Sequence, residues 1–394
     1  GVTEGLDWLS SQGIRLACQV TIRKDLAVYV GESEPELDYF QILKIGTVPL
    51  LDIDPLLQYR EIELPVAHQR DGRSNMELVR EGLGHEYHRL KAEVSALQSL
   101  SGRMQKEQAR GTAVVHRNSL LAWYPGKSMK GYGLIFDLGT STLVGKLISL
   151  EDGQQVAAVS CLNSQNRYGA DVISRLQHIA THEDGLARLH FLLIRDLNSL
   201  IKRLLKIQNL RAEDVLVAVV AGNTTMQHLL MRLDPLGIAQ APFSPVYIDG
   251  LVTRAAEAGL NLYHEALLYV MPIKSGYIGG DLISVILASQ AAEQEEKVIL
   301  GLDLGTNGEI FLGNRHRILT CSAAAGPALE GAKISHGSIA RSGAIEGVRI
   351  QDGILHFKDI GNIKPITICG SGLVDLVAVL ANCGIIDQDG LIRP

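Results

Sequence analysis

Two similar stretches decide the fold of this chain: G-L-I-F-D-L-G-T-S-T-L-V-G-K-L-I-S at residues 133–149 and V-I-L-G-L-D-L-G-T-N-G-E-I-F-L at residues 298–312. Each has apolar, β-prone flanks around a small polar centre, and this pattern predicts a hairpin of two strands. The centres begin at Asp137 and Asp303 and have the same four residues, Asp-Leu-Gly-Thr. An internal repeat of this kind indicates two similar half-domains.

The composition sets limits on partners and location. The 394 residues include 46% hydrophobic and 20% charged residues, which suffices for a buried core and excludes a disordered chain. There are 37 Lys and Arg against 43 Asp and Glu, without a basic block, so we expect no nucleic-acid partner. Apolar runs such as Val215–Gly222 are too short to span a bilayer, and the N-terminus lacks the features of a signal peptide. We therefore expect a cytoplasmic protein without a membrane partner.

Each predicted hairpin suits a magnesium-phosphate ligand. A strand that ends in Asp and turns through Gly-Thr directs a carboxylate and several backbone N–H groups to one point, and nearby hydroxyls add neutral donors. One such turn alone is more simply an ordinary hairpin, but two copies favour phosphate binding. Asp137 and Asp303 are the candidate Mg²⁺ ligands. The candidate phosphate-binding residues are Asp137, Gly139, Thr140, Ser141, Thr142, Asp303, Gly305, Thr306 and Asn307.

A third glycine-rich segment, T-I-C-G-S-G-L-V-D at residues 367–375, has the pattern of a strand, a turn and a helix start. Gly370, Ser371 and Gly372 would let a flat ring and a ribose lie against the backbone. A glycine turn before a helix often serves only close packing. Its position after the two hairpins strengthens the nucleotide interpretation.

Other elements are predicted from local signals. Ser74–Glu77 forms an S-x-x-E capping box that starts a helix, and a second helix is predicted from His85 to Leu100. Leucines at steps of three and four predict an amphipathic helix over residues 184–206. A further helix is predicted to start at Gly279-Gly280-Asp281 and to run through Ala292.

The order of hairpin, hairpin and glycine turn resembles the superfamily of acetate and sugar kinases, heat-shock chaperone ATPases and actin. The resemblance implies a duplicated, RNase H-like, two-lobed α/β ATPase domain with nucleotide in the cleft between its lobes. Four shorter segments resemble the sequences of the reductive activators of corrinoid-dependent enzymes. They are residues 163–176, 221–228, 321–332 and 342–346.

That family combines a [2Fe-2S] ferredoxin domain, a linker and a small middle domain with the ATPase domain. The resemblance implies a ferredoxin remnant at 1–31, a linker at 32–44 and a small α+β middle domain at 45–130. The ATP-binding domain follows at 131–394, with a first lobe at about 131–295 and a truncated second lobe at about 296–394. Cys18 would be one cluster ligand, in the complete protein only, because one thiolate cannot hold a cluster that needs four ligands.

The resemblance also implies further residues near the cleft, namely Gly222, Asn223, Asp281 and Glu330. Asp281 and Glu330 have a simpler interpretation as helix caps. Three other features are better explained as structural: His85 with His88 as a solvated helix face, Lys146 as a surface lysine, and Asp171 with Arg175 as an ion pair one helical turn apart.

The implied function is ATP-dependent return of an oxidised Co(II) corrinoid to Co(I). The implied cofactors are ATP or ADP with Mg²⁺, and a [2Fe-2S] cluster in the complete protein. The implied partners are the corrinoid protein of a methyltransferase system and a low-potential electron donor, and the protein could form a homodimer. Two alternatives stay open: a small-molecule kinase with Asp281 as base, and an ATP-dependent assembly or chaperone module without redox chemistry.

Overall fold

A computed structural model describes residues 54–64, 72–103, 110–126, 129–305, 307–324, 328, 331, 334–351 and 353–392. The chain divides into two compact units, Gly1–Asp38 and Tyr39–Pro394, and all described residues belong to the second. The predicted ferredoxin remnant with Cys18 and most of the predicted linker therefore lie in the first unit, outside the described residues. The predicted domain boundaries stay predictions.

A small α+β layer comes first in the described chain. Its sheet has the order β1-β3-β4-β2, in which β2 pairs parallel to β4 and the other pairs are antiparallel. Two helices cover one face and bury Leu78, Leu90, Leu100 and Trp123 against it. The elements are β1 (Gln58–Glu63), α1 (Asn75–Leu83), β2 (Lys91–Ala92), α2 (Val94–Arg103), β3 (Arg110–His116) and β4 (Ser119–Pro125).

The predicted capping box is confirmed, whereas the helix predicted after it is wrong. The Glu77 amide donates to Ser74 Oγ at 3.2 Å, and the Ser74 amide donates to Glu77 Oε2 at 2.7 Å. Instead of one helix over His85–Leu100, a short 3₁₀ turn is followed by β2 and then by α2. Pairing of β2 with β4 and complete burial of Leu90 override the local helix propensity.

The first lobe is built on a six-stranded mixed sheet with the order β7-β6-β5-β8-β10-β9. Strands β5, β6 and β7 form an antiparallel meander, and β8 pairs parallel to both β5 and β10. The strands are β5 (Tyr132–Leu138), β6 (Thr142–Ser149), β7 (Gln155–Leu162), β8 (Val215–Gly222), β9 (Leu251–Arg254) and β10 (Leu267–Val270). The helices are α3 (Val172–Thr181), α4 (Gly185–Ile207), α5 (Thr224–Leu230) and α6 (Leu236–Ala239).

Both faces of this sheet are covered. Helix α4 follows the predicted helix closely, and its leucine stripe packs against Leu134 and Phe136 of β5 in the largest core cluster. On the opposite face, Leu121 of the small layer packs against Val217 and Leu267 of β8 and β10. The small layer and the first lobe therefore share a hydrophobic core.

The second lobe repeats the antiparallel meander as β11, β12 and β13. A second sheet has the order β15-β14-β16 and packs against the last helix. Helix α7 (Gly280–Ala288) precedes the predicted start of this lobe. The elements of the lobe are β11 (Ile299–Leu304), β12 (Asn307–Asn314), β13 (Arg317–Ala324), β14 (Ala344–Gln351), β15 (Ile354–Asp359), β16 (Thr367–Ile368) and α8 (Gly370–Asn382). The fold is the duplicated, RNase H-like α/β architecture predicted above.

One helix boundary differs from the prediction. Helix α7 ends at Ala288, not at Ala292, because Gln290 has a left-handed backbone with φ of 53° and a 3₁₀ turn, Ala291–Glu293, follows it. No helix among the described residues is both long enough and apolar enough to cross a membrane.

Candidate nucleotide-binding site

The first hairpin confirms the predicted strand pair and tight turn. Strand β5 ends at Leu138 and β6 begins at Thr142. A Cβ atom at Gly139 would lie 2.2 Å from the Thr142 carbonyl oxygen, so only glycine fits this turn. Asp137 lies one residue before the end of β5, opposite Val144, and is exposed as a residue.

The second hairpin has a shorter turn and an acidic cross-strand pair. The Gly305 amide donates to the Asn307 carbonyl at 3.0 Å, which closes the turn. Asp303 of β11 lies directly opposite Glu309 of β12. Like charges at opposite positions of an antiparallel pair are destabilising, so this arrangement favours a bound cation or a proton. Thr306 lies outside the described residues.

Four carboxylates from the first hairpin, the start of α7 and the second hairpin each lie within electrostatic reach of at least one other. Desolvation raises the pKa of Asp137 to about 6, and repulsion by Asp303 adds to this. Desolvation also raises the pKa of Asp281 to about 7, with smaller contributions from Asp303 and Asp137. The pKa of Glu309 rises to about 7, first by desolvation and then by Asp281 and Asp303, and desolvation raises that of Asp303. The two hairpins therefore direct their acidic ends toward a common region.

The acidic region suits a hard cation that keeps much of its water. Mg²⁺ is usually held by one or two carboxylates together with substrate phosphates, not by a full protein cage. Among the described residues no group of three or more His, Cys, Asp and Glu side chains is arranged as a metal cage. The repulsion that Asp303 exerts on Asp137 is the feature that fits a magnesium ion brought in with a polyphosphate.

Asn223 and Asp281 lie at two helix starts beside the first hairpin. The Asn223 side chain caps α5 by accepting from the Met226 amide at 3.0 Å, and it donates to Thr140 Oγ1 at 3.0 Å. This bond leaves the Thr140 hydroxyl hydrogen able to donate to a ligand. A Cβ atom at Gly279 would lie 2.5 Å from Asn223 Cα, so the start of α7 lies directly against the start of α5.

The remaining cleft candidates occupy these same elements. Gly222 is the last residue of β8 and is buried, and Asp281 is the second residue of α7, whose N-cap is Gly279. Asp281 therefore does not cap the helix itself. Helix α7 contacts β8 of the first lobe as well as β11 and β12 of the second. Glu330 lies outside the described residues.

The third glycine segment starts α8 as predicted. Gly370 and Gly372 are buried in its first turn, and the Ser371 hydroxyl donates to the Glu346 carbonyl at 2.8 Å. The Cys369 thiol lies 3.3 Å from the Ile345 carbonyl. These contacts fix the segment against β14, so the structure shows the close-packing role directly. Its role toward adenosine stays a prediction.

The structure shows the surroundings of the residues that the sequence analysis interpreted as structural. His85 and His88 have ring centroids 5.4 Å apart on an exposed turn. Asp171 caps α3 by accepting from the Ser174 amide at 2.8 Å. Desolvation lowers the pKa of the buried Arg175 to about 10, while Asp171 acts in the opposite direction. Lys146 lowers the pKa of Asp137 and therefore lies near the acidic region.

Glu309 is the site residue that the sequence analysis missed. Only 7% of its surface is exposed, although it is an acid in an otherwise apolar strand. Within N-G-E-I-F-L, alternation places Asn307 and Glu309 on one face, and the register in which Leu304 pairs with Gly308 places Glu309 opposite Asp303. The signal was present in the sequence, but it required knowledge of the turn length.

Comparison with known proteins identifies the family. Residues 132–294 match a family model described as the RACo middle region, and residues 297–394 match one described as the C-terminal domain of RACo, the ASKHA domain. The chain belongs to the RACo family. The RACo middle region thus covers the residues predicted as the first lobe, whereas the small domain predicted at 45–130 precedes it.

Individual RACo relatives are similar over much of the chain. The corrinoid activation enzyme RamQ of Eubacterium limosum is 29% identical over 382 residues, which are 95% of this chain and 62% of the relative. The [Co(II) methylated amine-specific corrinoid protein] reductase of Methanosarcina barkeri is 27% identical over 65% of this chain and 52% of the relative. A solved reductive activator for corrinoid, iron-sulfur protein has a TM-score of 0.79 and 34% identity, covering 89% of this chain and 57% of its own. The chain thus spans less than two thirds of each relative.

Proposed function

We propose that the chain binds Mg-ATP or Mg-ADP between its two hairpins. Support comes from the duplicated Asp-Leu-Gly-Thr turns, because Asp303 of the second turn raises the pKa of Asp137 in the first. Asp137 and Asp303 would hold the magnesium ion, which would neutralise phosphate charge. The proposed phosphate-binding residues are Gly139, Thr140, Ser141 and Thr142 in the first hairpin and Gly305, Thr306 and Asn307 in the second. Gly370, Ser371 and Gly372 would contact adenosine.

For the complete protein we propose ATP-dependent reductive activation of a corrinoid protein. One electron would pass from a reduced [2Fe-2S] cluster to Co(II), giving Co(I), and a low-potential donor would reduce the cluster again. Cys18 would be one of the four cluster ligands, the others being supplied by the complete protein. The observation that carries the proposal is the joint presence of the paired phosphate hairpins and similarity to corrinoid activators along 95% of the chain.

The requirement for ATP follows from the energy of the electron transfer. For a one-electron couple, each 59 mV of unfavourable potential corresponds to about 1.4 kcal/mol. A gap of a few hundred millivolts therefore costs several kcal/mol, which ordinary donors do not supply. Different affinities of the open and closed lobes for ATP and ADP would couple the nucleotide to docking and release of the corrinoid protein.

The proposal includes the cell compartment and the assembly. We place the reaction in the cytoplasm, with the corrinoid protein of a methyltransferase system as the partner and with neither nucleic acid nor membrane involved. A homodimer is compatible with this scheme. Size-exclusion chromatography with light scattering, with and without the corrinoid protein, would measure the homodimer and the complex with the corrinoid protein.

Anaerobic absorbance spectroscopy tests the activity. A Co(II) corrinoid protein is mixed with the complete protein and a low-potential donor, and Co(I) formation is followed with Mg-ATP, with Mg-ADP and without nucleotide. We expect Co(I) only with Mg-ATP, and we expect loss of the reaction in an Asp137→Ala variant. Equally fast reduction without nucleotide, or none with several corrinoid proteins, would contradict the proposal.

A further inference from the structure

The first phosphate turn, residues 139–141, is held by hydrogen bonds from one short segment, residues 163–175. Three consecutive carbonyl oxygens of the turn accept hydrogen bonds from it. Asn163 Nδ2 donates to the Gly139 carbonyl at 3.1 Å, and Asn166 Nδ2 donates to the Ser141 carbonyl at 3.2 Å. Between them, Arg175 Nη2 donates to the Thr140 carbonyl.

These bonds determine which side of the turn presents carbonyls and which side presents amides. Backbone carbonyl dipoles drawn toward one side leave the opposite side of a tight turn to N–H groups, and successive N–H groups form an anion-binding concavity. The Asn163 amide adds a second donor to the Ser141 carbonyl at 2.9 Å. The segment therefore fixes the orientation of the whole turn before any ligand arrives.

Arg175 is the centre of this arrangement. Its exposed fraction is 0%, which is rare for arginine, and its hydrogen-bond acceptors are all neutral. Besides the Thr140 carbonyl they are the Gly169 carbonyl at 3.0 Å and the side-chain oxygens of Gln165 and Asn166 at 2.9 and 2.8 Å. The Met226 sulfur lies 3.0 Å from Nη1.

A buried guanidinium whose hydrogen bonds go to neutral groups keeps much of its electrostatic effect. Taking a charge out of water is costly unless an opposite charge compensates it. Asp171 supplies part of that compensation, as its effect on the pKa of Arg175 shows. A polyphosphate bound on the other side of the turn would supply more, and the low dielectric of the interior strengthens this attraction.

We propose that Arg175 is a positioning residue for the nucleotide phosphates, acting through the Thr140 carbonyl and through its buried positive charge. The inference rests on the proposed nucleotide site. It adds that phosphate affinity depends on a residue that never touches the ligand. Asn163 and Asn166 complete the arrangement by holding the two neighbouring carbonyls.

Titration calorimetry of the 394-residue chain with Mg-ATP and with adenosine tests the inference. Arg175→Met removes the charge and the donors at similar length. We expect at least a tenfold loss of Mg-ATP affinity, equivalent to about 1.4 kcal/mol, and adenosine affinity within twofold of the unaltered chain. Arg175→Lys retains the charge without the planar fork, so we expect partial rescue.

Arg203→Met is the matched control. Arg203 also donates to a backbone carbonyl of this lobe, that of Ser160 at 2.9 Å, but away from the turn. We expect its Mg-ATP affinity to stay within twofold. Equal losses of ATP and adenosine affinity in Arg175→Met would indicate a merely structural role and would overturn the inference, as would unchanged ATP affinity.

A second variant keeps the test decisive if Arg175→Met does not fold. Asn166→Asp retains the acceptor for Arg175, removes one donor to the Ser141 carbonyl and places a carboxylate against the guanidinium, which neutralises its charge. We expect a three- to tenfold loss of Mg-ATP affinity with adenosine affinity unchanged, and normal ATP affinity would overturn the inference. If the unaltered chain bound no nucleotide, the proposed site and this inference would both fail. Normal binding by the unaltered chain and by the variants would overturn the inference alone.

Discussion

Replacing Glu309 by glutamine should stabilise the nucleotide-free protein at alkaline pH. Glu309 is buried opposite Asp303, and its pKa is raised from 4.5 to about 7. A raised pKa of an acid means that the folded state disfavours the ionised form. The stability associated with this group is therefore fully present below pH 4.5 and is lost as the pH rises through about 7.

The size of the stability change follows from the pKa shift of Glu309. Each pKa unit corresponds to about 1.4 kcal/mol, so the full shift corresponds to about 3 kcal/mol of lost stability above pH 7. Part of the repulsion is shared with Asp281 and Asp303, so removal of one carboxylate should recover about 1–3 kcal/mol. At about 2.1 cal/mol/K of unfolding entropy per residue, a chain of 394 residues shifts by about 1 °C per kcal/mol, so the melting temperature should rise by about 1–4 °C.

Thermal unfolding followed by circular dichroism at pH 5 and pH 8, in the presence of EDTA, measures the effect. Glu309→Gln should melt about 1–4 °C above the unaltered protein at pH 8, and the gain at pH 5 should be much smaller. Glu296→Gln removes one charge from an exposed position of the same lobe and should change neither value by much. A lower melting temperature at pH 8, or the same gain at both pH values, would refute the reasoning, because neither outcome can come from ionisation of Glu309.

Three further predictions concern the nucleotide, the cluster and the shared core. Asp137→Ala should weaken Mg-ADP binding in calorimetry without lowering the nucleotide-free melting temperature, since it removes a repelled carboxylate; unchanged affinity would count against the site. Iron and sulfide analysis should find no [2Fe-2S] cluster in the 394-residue chain and one in the complete protein, and a full complement in the shorter chain would overturn the ligand count. Leu121→Ala, at a residue that is 1% exposed, should cost about 2–5 kcal/mol and speed proteolysis between the small layer and the first lobe, whereas a loss below about 0.5 kcal/mol would contradict the shared core.

Local patterns predicted the elements whose signals lie within a few residues. The two hairpins, helix α4 and the capping box at Ser74 depend on alternation, leucine spacing or a single hydrogen-bond pair, and the structure confirms them. The segment after His85 was predicted wrongly because the pairing of Lys91 with Ser119 lies 28 residues away in sequence. No local rule weighs such a distant pairing against helix propensity.

The candidate site shows the same limit. Asp137 and Asp303 could be selected from the repeated motif, whereas the importance of Glu309 depends on a cross-strand register set by the turn length. Arg175 could be located in the sequence, but the i, i+4 spacing from Asp171 favoured an ion pair at a helix surface. Its complete burial, and its bond to the Thr140 carbonyl 35 residues earlier, depend on the tertiary structure that brings Arg175 to the hairpin turn.

In the proposed nucleotide site, the two lobes would contribute different electrostatics. The first hairpin is held from behind by a buried cation, Arg175, which favours phosphate. The second brings a pair of acids, Asp303 and Glu309, which repel phosphate unless a cation is bound or a proton is shared. The first hairpin has one acid, Asp137, with the charge of Arg175 on the other side of its turn, whereas the second hairpin has two acids. Phosphate without Mg²⁺ would therefore meet stronger repulsion at the second lobe, and only a nucleotide carrying Mg²⁺ would satisfy both. Closure of the lobes around the nucleotide would then depend on the metal. The two copies of the motif would therefore have unequal roles, although their sequences are nearly identical.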